Sequence, residues 1–202
     1  MLVLSPVVEA PAAAEQFWCP LPPQPWPARI DLSGSSSDGE VALVLLQLAQ
    51  YNRVGEKHVL SAAEISRAES LVLPGGLAVR AGNKEVLPSC CCGLEGWIEW
   101  DLLLENSVSP WMGHDPSPWI ERVGESYVLW PDEGISQSQR EEACIFFGRD
   151  VLTDQLSKVL ACLQAFSGRI VEVAGKHVPG FASDLEMAFR NAFASPATPI
   201  EA

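Results

Sequence analysis

Apolar positions along the chain recur with two periods, and each predicts an element. A 3.6-residue period marks a helix with one buried stripe, and strict alternation marks a half-buried strand. The first strong run is about 38–52. It is preceded by Ser37-x-x-Glu40, a capping-box pattern, closed by Gly55, and apolar nearly all round through Leu43, Leu45, Leu46 and Leu48. This predicts a central helix. A second capping pattern, Ser61-x-x-Glu64, opens a short helix. Leu71 to Leu73 and Leu77 to Arg80 then read as strands, with turns at Gly75-Gly76 and at 81–83.

Helical spacing returns over 93–105, with Leu94, Trp97, Ile98 and Leu102 on one stripe and Trp100, Leu103 and Leu104 beside it. Trp119 to Val123 and Tyr127 to Trp130 alternate like a hairpin about Gly124-Glu125, and Cys144 to Phe147 reads as a further strand. Leu152, Leu156, Val159, Leu160, Leu163 and Phe166 form the clearest helical stripe, with Gly168 as its stop. Ser183-x-x-Glu186 opens a last helix carrying Leu185, Ala188, Phe189, Ala192 and Phe193, and Pro196 and Pro199 end the order.

Helices at both ends and strands between them predict an α+β fold, a mainly antiparallel central sheet packed by helices from the N- and C-terminal parts. The two types do not alternate as a doubly wound sheet requires. Five prolines between Cys19 and Pro27 forbid a helix or a central strand there. The expected organisation is therefore one α+β domain over 1–202, with a Pro-rich extended arm over 1–37 and a disordered tail over 195–202.

Composition narrows the class. The chain has 202 residues, of which 48% are apolar and 19% charged, enough for a core without disulfide staples. The longest apolar run, Val41 to Leu46, is far short of the roughly 20 residues that span a bilayer. No basic n-region precedes the first residues, so a cytoplasmic location with six reduced thiols is expected. The formal charge of -13 excludes nucleic acid and anionic membranes as partners, since both demand a basic face.

Two stretches could carry chemistry. Cys90, Cys91 and Cys92 stand together just before the helix expected over 93–105, where a helix N-terminus would favour thiolate. If the protein is an enzyme, Cys90 or Cys92 is the nucleophile, with His114 as base and Asp115 nearby. A metal set of Cys90, Cys92 and His114 is the other option. A zinc hook normally has C-x2-4-C spacing and a matching second hook, and neither is present, so no metal and no cofactor are expected. The competing expectation is that consecutive cysteines simply pack as small hydrophobes, as Cys144 and Cys162 should.

The second stretch is 109–119, with three prolines, Trp111, Trp119, His114 and Asp115. Stiff loops carrying rigid aromatics make good anchors, so Trp111, His114, Asp115 and Trp119 are the candidate binding residues. The alternative is a connector whose tryptophans fold back on the core. His58 and His177, the latter in an expected turn, have no matched partners.

No dinucleotide-binding, P-loop, nucleophile-elbow or H-E-x-x-H pattern is present, which favours a role without catalysis. The expected function is thus an acidic binding or inhibitor-type protein that engages a basic protein partner, as immunity proteins engage nuclease toxins. The alternative is a thiol- or metal-dependent enzyme on Cys90, Cys92, His114 and Asp115. A homo-oligomer is a further expectation, from the surplus of tryptophan.

Overall fold

In the computed structural model, which describes residues 1–53 and 60–195, the elements run in this order. Strand β1 is Leu2–Glu9 and β2 Arg29–Asp31, followed by helices α1 (Asp38–Tyr51) and α2 (Ala62–Ile65). Strands β3 (Gly75–Ala81) and β4 (Lys84–Val86) lead into a 3-10 turn, Leu94–Ile98, and helix α3, Glu99–Asn106. Then come β5 (Trp119–Val123), β6 (Ser126–Trp130), α4 (Gln137–Ala143), β7 (Ile145–Gly148), α5 (Arg149–His177) and α6 (Ala182–Phe193), the last preceded by a 3-10 turn over Pro179–Phe181.

The fold is α+β, as the patterning predicts. The strands form two sheets, ordered β2-β1-β3-β4 and β5-β6-β7. The pairs β1/β2, β3/β4, β5/β6 and β6/β7 are antiparallel. Contacts gather the described chain into two compact units. One comprises Met1–Pro6 and Gly75–Leu160, the other Val7–Pro74 and Ala161–Ser195, so β1 and α5 are each divided between them.

In the second unit the capping box opens α1 as expected. Ser37 accepts from the Glu40 N–H, and the Glu40 carboxylate accepts from the Ser37 N–H. Asn52 caps the other end, and Gly55, the expected stop, lies outside the described residues, as does His58. Phe166, Phe189 and Phe193 pack in series at ring separations of 5.4 and 5.0 Å. Residues 10–28, including the proline run, form neither helix nor strand. The strand β1 within the expected arm is not signalled by a turn or cap.

Several local expectations fail for identifiable reasons. Leu71 to Leu73 is no strand, because one side chain takes the backbone groups a ladder would use. The Val72 N–H donates to Asn52 Oδ1 at 2.8 Å and its carbonyl accepts from Asn52 Nδ2 at 2.7 Å. Gly75-Gly76 is the start of β3 rather than a turn. Helix α5 runs through Gly168, because the buried stripe continues in Ile170, Val173 and Ala174. It also takes in His177, expected in a turn. Ser183 does not cap α6, since the 3-10 turn runs directly into Ala182.

In the first unit the stripe of the third helix is shifted. Leu94, Trp97, Trp100 and Leu103 are buried, whereas Ile98 is exposed and Leu102 half-buried. Three residues per turn in the opening 3-10 segment place every third side chain on one face. The β5/β6 hairpin has the expected loop, with Val123 opposite Ser126 and Gly124 at φ 63°. Tyr127 stacks on Phe147 at 5.7 Å, and its hydroxyl donates to the Leu103 carbonyl at 3.3 Å. Among the described residues no helix is long and apolar enough to cross a membrane.

Candidate functional site

Two loops of the first unit, 88–93 and 109–116, are tied together by Ser89, a buried residue. Its N–H donates to the Met112 carbonyl at 2.9 Å. Its hydroxyl donates to the Pro116 carbonyl at 2.6 Å and accepts from the Asp115 N–H at 3.3 Å. The close approach requires glycine at 113. Its φ is 101°, and a Cβ there would lie 2.0 Å from Ser89 Oγ and 2.8 Å from the Cys90 carbonyl oxygen. Trp111 adds two further ties, its indole N–H to the Cys91 carbonyl (3.2 Å) and its backbone N–H to Glu99 Oε2 (2.9 Å).

The thiols are presented by a tight turn. The Cys92 N–H donates to the Ser89 carbonyl at 3.3 Å, and Cys91, third residue of the turn, has φ 64°. A positive φ at that position is the requirement of a type II turn and is normally met by glycine or asparagine. On the other side the Gly75 N–H holds the Cys92 carbonyl at 3.0 Å, and Gly76 leaves room for Pro88 and for Cys92 Sγ. Cys90 and Cys91 are exposed and Cys92 is half-buried.

Cys90 Sγ and His114 Nδ1 are 2.9 Å apart, a hydrogen bond whose donor depends on the imidazole tautomer. Cys90 Sγ, Cys91 Sγ and a His114 ring nitrogen all lie within 4.8 Å of one another. Trp111 stands edge-on to the His114 ring at 6.1 Å and is itself half-exposed. The Cys92 thiol instead donates to the Trp111 carbonyl at 3.5 Å.

Of the residues singled out in the sequence, the fold thus brings Cys90, His114 and Trp111 together. Cys91 takes the place expected for Cys92. Asp115 contributes its N–H to Ser89, and among the described residues its carboxylate makes no hydrogen bond to His114. Trp119 goes elsewhere, half-buried and stacked on Trp130 at 5.8 Å with the Arg140 guanidinium 5.7 Å from its ring. The helical start expected after the cysteines is present: Leu94–Ile98 is a 3-10 segment that runs directly into α3, and Gly93 rather than a cysteine is its N-cap.

The other thiols differ in kind. Cys19 is buried, and burial, with a smaller contribution from nearby Asp38, pushes its thiol up to about 11. Burial also pushes the half-buried Cys162 thiol up. Both are held protonated and poorly nucleophilic. Cys144 is buried as expected. The packing expectation therefore holds for Cys144, only in part for the half-buried Cys162, and fails for Cys90 and Cys91. Ser89 and Gly113, which build the site, are not predicted, and their one sequence signal is a glycine inside a proline-rich loop.

Comparison with known proteins finds no family model, no curated protein and no solved structure that matches the chain. The site itself offers an exposed thiol with an imidazole within hydrogen-bond reach, and a second exposed thiol beside it.

Proposed function

We propose that this is a thiol-dependent protein in which Cys90 is the reacting group and His114 its proton acceptor. The observation that carries the reading is the 2.9 Å contact between Cys90 Sγ and His114 Nδ1 at an exposed position. A nucleophile and base within such reach, with substrate access, is the minimal unit of thiol catalysis. Cys90 Sγ forms a bond to an electrophilic carbon, the carbon's leaving group departs with its bonding pair, and the thiol proton passes to Nδ1.

Timed alkylation of the reduced, metal-free full chain with iodoacetamide near neutral pH, read by peptide mass mapping, tests it. An unassisted thiol is only a few per cent thiolate at that pH, so a base in place raises reactivity by about tenfold. Cys90 is expected to react before the other five, and His114→Ala to remove most of that advantage. Equal rates at Cys90 and Cys91, indifferent to His114→Ala, would sink the reading.

A second reading is the acidic binding protein that engages a basic protein partner, supported by the formal charge of -13 and by half-exposed Trp111 as an anchor. The protein is captured at low salt from its own cells, and the partner's affinity is then measured as salt is raised. Complementary charge predicts a steep loss, and a flat response removes this reading.

A further inference from the structure

We propose that Cys90 Sγ, Cys91 Sγ and His114 Nδ1 form a three-ligand site for a thiophilic metal cation, zinc(II) by preference, whose fourth coordination position is open. The inference rests on the thiol–imidazole pair proposed above and adds a second thiol and a ligand to it.

Donor type comes first. Two thiols and an imidazole suit zinc and other soft or borderline ions, whereas magnesium and calcium take oxygen ligands. Number comes second. Structural zinc sites close with four protein ligands, while catalytic ones keep three, the combination of two cysteines and one histidine among them, and leave a position for water or substrate. Among the described residues Cys90, Cys91 and His114 are the one such group of potential metal ligands, and it has no fourth member.

Distance comes third. Tetrahedral bonds of about 2.3 Å to sulfur and 2.0–2.1 Å to nitrogen put sulfur and nitrogen about 3.6 Å apart and the two sulfurs about 3.8 Å apart. Donors already within 4.8 Å of one another reach that arrangement by side-chain rotation, and all three side chains are exposed and free to make it. The 2.9 Å contact of Cys90 with His114 opens slightly to admit the ion.

The loops explain why these ligands converge without the hook spacing of common zinc motifs. Adjacent residues of an extended chain point to opposite sides. The left-handed conformation of Cys91 breaks that alternation and turns its thiol back beside that of Cys90. The Ser89 and Gly113 clamp brings in His114 from 24 residues away. The indole N–H of Trp111 on the Cys91 carbonyl then acts as an outer-shell tie on a ligand residue. Binding needs no redox partner: the ion replaces two thiol protons, which go to solvent, and the imidazole binds through its nitrogen lone pair.

The test is titration of the reduced full chain with cobalt(II), followed by thiolate-to-cobalt charge-transfer absorption, and with zinc(II), followed by metal content after dialysis against excess magnesium. One equivalent of either ion per chain is expected. Cys90→Ser, Cys91→Ser and His114→Ala each lower affinity by more than about 100-fold, beyond the loss of an outer-shell partner, while Cys92→Ser retains the site. Circular dichroism on each variant checks that it folds. Absence of a stoichiometric ion, displacement by magnesium, or binding indifferent to Cys91→Ser overturns the proposal. Cys91→Ser also separates the two readings: in metal-free protein it leaves fast Cys90 alkylation intact and removes only the metal. Rapid alkylation without metal binding therefore ends this inference and leaves the thiol function standing, and a bound ion with slow metal-free alkylation does the reverse.

Discussion

In helix α1, eight side chains between Val41 and Ala49 are buried, and the N-terminus is closed by the helix's own Ser37 and Glu40. Around Cys90, the ordering contacts join residues 20 to 27 positions apart and leave two thiols at the surface. The first region is held by apolar burial plus local caps, and it tolerates no reactive group. The second is held by a few part-buried and exposed hydrogen bonds between irregular loops, which leaves its side chains free to meet solvent, a substrate or an ion. Loops positioned by a firm scaffold are where binding and catalytic groups concentrate, and this contrast shows the physical reason.

The contrast is most forcefully probed by Phe189→Ala. That side chain is fully buried between Phe166 and Phe193, so its loss should cost about 3–5 kcal/mol in denaturant unfolding. A cost under about 1 kcal/mol would mean the aromatic series is not packed as described. Gly113→Ala is the counterpart in the loops. Positive φ and the clash with Ser89 and the Cys90 carbonyl predict a loss of about 2–3 kcal/mol and the disappearance of selective Cys90 alkylation. Retained selectivity would show that His114 reaches Cys90 without the clamp.

Ser89→Ala is milder. It strands the Asp115 N–H and the Pro116 carbonyl, for about 1–2 kcal/mol, and should reduce the alkylation advantage of Cys90 without abolishing it. Ser37→Ala removes the cap of α1 at about 1 kcal/mol and should leave thiol reactivity unchanged, which makes it the control for the comparison.

The smallest effect concerns Asp38 at the start of α1. The hydrogen-bonded Lys176 ammonium, and then the Arg169 guanidinium, hold its carboxyl below the usual range. A depressed folded-state value means that the stabilisation is present above the ordinary carboxylate pKa of about 4 and is lost as pH falls below it. Asp38→Asn should slightly flatten the acid limb of the stability profile, and only slightly because the group is exposed and screened. An unchanged acid limb would show that these ion pairs contribute nothing measurable.

Most local signals are carried into the structure, the Ser183 cap and the Gly168 stop being exceptions. The capping boxes at Ser37 and Ser61, the Gly124-Glu125 hairpin and the stripe from Leu152 to Phe166 all fold as their spacing predicts. A third capping box, Ser136 with Gln139, is equally local and opens α4, an element the hydrophobic pattern does not mark because none of its residues is buried. The errors arise where a distant group intervenes, as Asn52 does at Val72, or where the helix type changes the period, as in Leu94–Ile98. The site was half legible. Adjacent cysteines and a histidine in a stiff loop mark the parts, but Cys92 was expected where Cys91 stands, because pairing by spacing ignores the left-handed turn.

The sequence by itself determined the α+β class, the main helices and the β5/β6 hairpin, since each depends on periodicity, caps and turn residues within about a dozen positions. Only the tertiary structure decided which thiols are buried and which are exposed, and which of them meets His114. Those outcomes depend on a backbone φ at Cys91 and on hydrogen bonds closed by Ser89 across a long loop. No local preference encodes contacts made at that separation.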